Sequence, residues 1–95
     1  METWFVYVLY SEKFGRYYTG MAQNPDRRLK EHNKGKTKST KAFRPWEIIH
    51  KEQLNSRPEA RQREKFLKSG VGREYIKGLR SLTGYLPAGR QGAPK

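Results

Sequence analysis

The chain contains no cysteine, which excludes a disulfide scaffold, a cysteine-bound zinc site and a thiol nucleophile. Long apolar runs are also absent. The longest is the seven residues 4–10, far short of the ~20 residues needed to span a bilayer. No charged and then apolar leader stands before a cleavage site. We therefore expect a cytoplasmic protein that makes no contact with a membrane.

Acidic residues are scarce, at 9 Asp and Glu against 21 Lys and Arg, which gives a formal net charge of +12. The charge is uneven. Residues 1–24 carry as many acids as bases, whereas residues 25–51 carry nine bases and three acids. Such an excess indicates a polyanion partner, and nucleic acid is the commonest polyanion of the cytoplasm. No segment combines a basic face with a bulky apolar face, as a membrane-surface helix would.

Three segments are typical of strands. Residues 4–10 are continuously aromatic and aliphatic, which predicts a first strand over residues 1–10, covered on both faces and therefore central in its sheet. A polar stretch over residues 11–16 and a second aromatic strand over residues 17–21 make a hairpin. A third strand is expected over residues 46–53.

The first helix is marked by Asn24-Pro25-Asp26. Asparagine is a good N-cap, proline suits the first helical position, and the aspartate favours the positive end of the helix dipole. This helix should end near Gly35. Residues 34–44 are polar and without period, and we expect them to form a mobile basic loop.

A second helix opens where Ser56 and Glu59 match a capping box, and it should continue to about residue 69. Gly70 and Gly72 are expected to stop it, with a short further helix over residues 73–77. Residues 81–95 are rich in glycine and proline, which predicts a disordered basic tail.

Together these elements predict one α+β domain over residues 1–80. Its three-stranded antiparallel sheet is flanked by helices in the order ββαβα, followed by a short C-terminal helix.

Glu64 occupies an unusual position in the second helix. Ala60, Glu64 and Leu67 share one face by their i, i+4, i+7 spacing. A carboxylate between two core-facing residues costs stability unless a cation or a metal ion meets it. Arg28 and His32, four residues apart, share a face of the first helix in the same way.

At this point the sequence resembles a known family. Phe5-Val6-Tyr7 is followed about ten residues later by Tyr18-Thr19-Gly20, then by Arg28 and His32, and then by Glu64. This series is similar to the GIY-YIG nuclease family over residues 4–77. The name-giving motif has glycine where this chain has Phe5 and isoleucine where it has Thr19. Within the family, the small stand-alone bacterial members are the most similar, on the basis of Arg44-Pro45-Trp46, Arg63-Glu64-Lys65 and Gly72-Arg73-Glu74.

The resemblance implies hydrolysis of a phosphodiester with one divalent metal ion, Mg²⁺ or Mn²⁺. It implies that Glu64 is the metal ligand and that Arg28 contacts the scissile phosphate. Tyr7 is the expected general base, acting on the attacking water with help from Tyr18 and His32. Which of these three takes the proton stays open.

The expected substrate is nucleic acid, with DNA favoured over RNA. Basic side chains of the first helix and the following loop would grip its backbone without reading bases. They are Arg27, Lys30, Lys34, Lys36, Lys38 and Lys41. The chain carries no separate recognition domain, so substrate choice would come from shape or from a partner protein.

Two other functions are compatible with the charge. One is a basic nucleic-acid-binding module that is not an enzyme, and the other is a ribosome-associated basic protein. Neither explains the combination of two tyrosines, an arginine, a histidine and a glutamate, since binding alone does not need the acid.

Overall fold

The computed structural model of the protein describes residues 3–83, with side chains up to residue 78. The α+β class and the three-stranded sheet are confirmed. The strands are β1 (Trp4–Ser11), β2 (Arg16–Ala22) and β3 (Glu47–Leu54); the helices are α1 (Pro25–Asn33), α2 (Lys38–Lys41), α3 (Arg57–Lys68) and α4 (Gly70–Thr83).

The sheet is antiparallel with the strand order β2-β1-β3. The aromatic and aliphatic strand β1 is therefore central, as its continuous apolar sequence predicts. Tyr7 pairs with Gly20 on one side and with Lys51 on the other. A shift of register on the β3 side falls between Val8 and Leu9.

Both faces of β1 are buried in separate cores. Val6 and Val8 pack with α3 and α4, whereas Tyr7 and Leu9 pack with Trp46 and with the side of the molecule that carries α1. Both α1 and α3 contact the edge strand β2 as well as β1, so these two helices approach the same edge strand from opposite faces of the sheet.

The two predicted N-caps are confirmed. The Asn24 side chain accepts a hydrogen bond from the Arg27 N–H at 3.1 Å, and the Ser56 hydroxyl accepts one from the Glu59 N–H at 3.3 Å. The Glu59 carboxylate in turn accepts from the N–H of Asn55 at 3.2 Å. Local side-chain bonds of this kind fix where α1 and α3 begin.

The prediction that the second helix ends near residue 69 is confirmed, since α3 ends at Lys68. The predicted bounds of the following short helix were wrong. The α4 helix already begins at Gly70 and runs for 14 residues, well beyond the expected residues 73–77. Ser69 is the reason, since its hydroxyl accepts a hydrogen bond from the Gly72 N–H at 3.1 Å and so caps a new helix. A Cβ at Gly72 would overlap the carbonyl oxygen of Phe66 and lie 2.5 Å from the Cα of Leu67, so this glycine lets α4 cross the end of α3.

The prediction that residues 34–44 form a mobile loop is also corrected, because this segment contains the four-residue helix α2. Thr40 of this helix is buried, and its carbonyl accepts a hydrogen bond from the Trp46 indole at 2.9 Å. The Arg44 guanidinium donates to the carbonyl of Lys41 at 2.8 Å. A polar helix this short carries no apolar period, so only its contacts with distant residues reveal it.

Most of the expected tail, residues 84–95, lies outside the described residues. Among residues 3–83, no helix has the length and the apolar character that crossing a bilayer requires.

Candidate active site

Tyr7 lies on β1 and is 1% exposed. Its ring packs over the bare backbone of Gly20, its partner on β2. A Cβ at residue 20 would lie 2.7 Å from the Tyr7 hydroxyl oxygen and 2.9 Å from Cζ. The Tyr7 ring can therefore occupy this position only because residue 20 has no side chain.

We expect Gly20→Ala to lower the free energy of unfolding by about 1–3 kcal/mol, because an enclosed ring cannot move away from the added methyl group without disturbing its neighbours. Chemical denaturation measures this difference. The matched control is Gly78→Ala on α4, where no described atom lies within 4 Å of the added Cβ and alanine should be neutral or stabilising. Equal stability of Gly20→Ala and the wild type would contradict this account of Gly20.

His32 makes direct contact with both tyrosines. It is fully buried, and its Nε2 lies 3.2 Å from the Tyr7 hydroxyl. The Tyr18 ring lies beside it, with 4.8 Å between ring centroids. Burial lowers the pKa of His32 below its usual value and the nearby Arg28 cation lowers it further, while Glu31 opposes them. The imidazole is consequently neutral at pH 7.

The surroundings of Tyr7 raise its pKa to about 12, chiefly by burial and then by the neighbouring Tyr18. The Arg28 cation lowers the pKa of Tyr7, whereas the carboxylates of Glu64 and Glu31 raise it. The phenol is therefore protonated at neutral pH. For the oxygen to take up a proton from water, its own proton must pass to another group.

Arg28 and Glu64 line one cleft of about 550 Å³ at the end of β2, whereas Tyr7, Tyr18 and His32 are not among its lining residues. The cleft lies between α1 and α3, so its walls come from both sides of the sheet. Arg28 is 42% exposed, and its Nε lies 3.3 Å from Oε1 of Glu31. Glu31 also approaches Arg27 at 3.5 Å, so one carboxylate of α1 contacts both guanidinium groups.

Two residues of this cleft were not predicted from the sequence. Arg57 and Arg61 of α3 line it together with Glu64, and the guanidinium of Arg57 lies 5.6 Å from the centroid of the Trp4 ring. The sequence nevertheless indicates them, because positions 57, 61 and 64 share one helix face. Arg61 lies one turn, and Arg57 two turns, from Glu64 towards the start of the helix.

Glu64 offers a single carboxylate to a metal ion. Its side chain is 14% exposed, and Oε2 lies 3.2 Å from the Lys68 ammonium. In the part of the chain that the structure describes, no group of three or more His, Asp or Glu side chains could enclose a metal. Mg²⁺ is commonly held by one or two carboxylates, with water and substrate phosphates completing its shell. The donors present therefore fit a hard divalent cation that is shared with a phosphate.

The structure divides the basic residues expected to bind nucleic acid. Arg27 lines the cleft. The five lysines are exposed on α1, on α2 and between them, and none is among the residues that line the cleft; they are Lys30, Lys34, Lys36, Lys38 and Lys41. They therefore lie outside the lining that contains Arg28 and Glu64.

Comparison with known proteins gives consistent results. The model of the GIY-YIG catalytic domain matches residues 3–77. A UPF0213 protein of Staphylococcus epidermidis is 35% identical over 78 residues, covering 81% of this chain and 94% of the relative. One from Staphylococcus aureus is 34% identical over 70 residues, covering 73% and 84%. The solution NMR structure of a UPF0213 protein from Bacillus halodurans matches with a TM-score of 0.50 and 31% identity, covering 82% of this chain and 85% of that one. The chain belongs to the GIY-YIG family.

Proposed function

We propose that the protein is a divalent-metal-dependent endonuclease that hydrolyses phosphodiester bonds, with DNA as its substrate. The observation that carries this proposal is a buried, hydrogen-bonded tyrosine–histidine pair that lies within electrostatic range of an arginine and a glutamate, which line one cleft. Tyr7 is hydrogen-bonded to His32, and Arg28 and Glu64 both influence its pKa. A module that only binds nucleic acid needs neither the acid nor this pair.

Arg28 would bind the scissile phosphate. Its planar guanidinium can donate two parallel hydrogen bonds to phosphate oxygens, which a lysine ammonium cannot reproduce. Glu31 lies beside it on α1 and would orient that group. Glu64 would hold the metal ion, which when bound stabilises the negative charge that develops on the phosphate and the leaving oxygen.

Tyr7 would act as the general base. Since its pKa is raised to about 12, a free phenolate is not available at neutral pH. His32 Nε2, 3.2 Å from the Tyr7 hydroxyl, can receive the phenolic proton while the tyrosine oxygen takes one from the attacking water. The lowered pKa of His32 keeps its imidazole neutral at pH 7, so that one of its two ring nitrogens can accept a proton.

Arg57 and Arg61 would bind backbone phosphates that flank the cleaved bond. We expect Arg57→Gln with Arg61→Gln to weaken DNA binding and to reduce its salt dependence by about 1.8 units of log K against log salt, since each lost phosphate contact removes about 0.9. The matched control carries Lys13→Gln and Lys51→Gln, which remove the same charge outside the cleft. Equal slopes for the two double variants would exclude this role for the arginines.

The activity is tested by incubating the purified protein with single-stranded, duplex, flap and branched DNA, and with the same set in RNA. We expect cleavage in Mg²⁺ or Mn²⁺ and none with a chelator. Tight binding with no cleavage of any substrate in either metal would overturn the proposal in favour of a binding module that is not an enzyme.

A further inference from the structure

Thr40 is a buried polar residue, 1% exposed, on the short helix α2. Its hydroxyl oxygen lies 2.8 Å from Nδ1 of His32. The same hydroxyl donates to the carbonyl of Thr37 at 3.3 Å. With Tyr7, these groups form a continuous chain of hydrogen bonds that runs from β1 through α1 to α2.

The direction of each bond follows from the chemistry of the groups. The contact with the Thr37 carbonyl uses the single hydroxyl proton of Thr40, because a carbonyl oxygen only accepts hydrogen bonds. In this arrangement the Thr40 oxygen accepts from His32, and Nδ1 carries the proton. A neutral imidazole has one N–H, so Nε2 is left with a lone pair towards Tyr7.

We propose that Thr40 is a positioning residue that fixes the tautomer of His32. This inference rests on the proposed nuclease function, in which Nε2 receives the proton of Tyr7. If His32 carried its proton on Nε2, that nitrogen could not accept, and Tyr7 could not pass on its proton. The hydroxyl of Thr40 selects the productive tautomer before any substrate is bound.

The surrounding contacts hold Thr40 in place. The Trp46 indole donates to the carbonyl of Thr40 at 2.9 Å. Asn33, the neighbour of His32, binds the backbone of Trp46 twice, accepting from its N–H at 2.7 Å and donating to its carbonyl at 3.0 Å. Trp46 therefore connects α2 to the end of α1, which fixes Thr40 relative to the histidine.

The test is NMR on the ¹⁵N-labelled full chain without nucleic acid, because two-bond ¹H–¹⁵N correlations distinguish the protonated ring nitrogen from the unprotonated one. In the wild type we expect His32 protonated at Nδ1. Thr40→Val, which keeps the shape and deletes the hydroxyl, should shift the population towards the Nε2–H form. Thr40→Ser should retain the wild-type tautomer. Ser39→Ala, at an exposed position on the same helix, is the matched control and should change nothing.

Single-turnover cleavage then measures the functional consequence. We expect Thr40→Val to cleave at least about tenfold more slowly than the wild type. The loss should not exceed the roughly 10²- to 10⁴-fold acceleration that proton transfer by a side chain supplies. Thr40→Ser should restore most of the rate. A wild type with the proton on Nε2, or a Thr40→Val protein with unchanged tautomer, would overturn the assignment even if the enzyme is active. A wild type protonated at Nδ1 that cleaves nothing would support the Thr40–His32 link and overturn the nuclease proposal. If Thr40→Val does not fold, the tautomer of His32 in the wild type and the cleavage rate of Thr40→Ser still test the proposal.

Discussion

Replacing Tyr7 with phenylalanine is expected to lower the single-turnover cleavage rate by about 10²- to 10⁴-fold, the contribution of a general base. The change keeps the buried ring and removes only the oxygen that lies 3.2 Å from His32 Nε2. Stability should fall by about 0.5–1.5 kcal/mol, the net contribution of one hydrogen bond, so the variant should stay folded. The rate is measured at saturating metal and enzyme, and stability by denaturation.

The matched control is Tyr10→Phe, which removes a hydroxyl from the other face of the same strand and should leave the rate unchanged. Tyr18→Phe adds a comparison within the site. Tyr18 is less buried than Tyr7 and lies beside the His32 ring. A rate for Tyr7→Phe within a few-fold of the wild type, together with a large loss in Tyr18→Phe, would transfer the role of base to Tyr18.

Glu64→Gln should abolish metal-dependent cleavage and leave DNA binding intact or tighter. The amide keeps the volume of the side chain but removes the charge that attracts a divalent cation. Loss of an acid from a strongly basic protein also reduces repulsion of the DNA backbone. Cleavage and DNA affinity are measured in parallel, and binding of Mn²⁺ is followed by calorimetry.

The control for this experiment is Glu74→Gln, at an exposed position on α4, which should cleave like the wild type. We expect Glu64→Gln to fold, because the Glu64–Lys68 ion pair is a partly exposed i, i+4 contact. Such pairs contribute about 0.3–0.5 kcal/mol to stability. Full cleavage by Glu64→Gln would exclude Glu64 as the metal ligand and leave it a structural partner of Lys68.

The sequence was sufficient for features that depend on neighbouring residues. Asn24 and Ser56 cap their helices through bonds to residues three positions ahead, so a local pattern predicts both helix starts. The uninterrupted apolar run of β1 predicts a strand buried on two faces, and the structure places it between β2 and β3. The resemblance to the GIY-YIG family, carried by residues from Tyr7 to Glu64, was likewise readable and is confirmed. The catalytic roles that it implies stay predictions.

Helix boundaries near glycines were predicted less accurately than the helix starts at Asn24 and Ser56. Gly70 and Gly72 look like helix breakers because glycine is a poor helix former. In the fold, Gly72 lies against the backbone of Phe66 and Leu67, where any side chain would collide. The preference of a residue for a helix contributes little free energy, and close packing between α3 and α4 outweighs this contribution.

By itself the sequence predicted five residues of the candidate site and the elements that carry them: a tyrosine on each strand of a hairpin, an arginine and a histidine on one helix, and a glutamate on another. It also determined the excess of positive charge. Only the tertiary structure decided that Thr40 meets His32, that Arg57 and Arg61 share the cleft of Glu64, and that the lysines lie apart from it. The physical reason is that these arrangements depend on hydrogen bonds and packing between residues far apart in the chain. No local pattern of residue types encodes such contacts, because they form only when α1, α2 and α3 pack around the sheet.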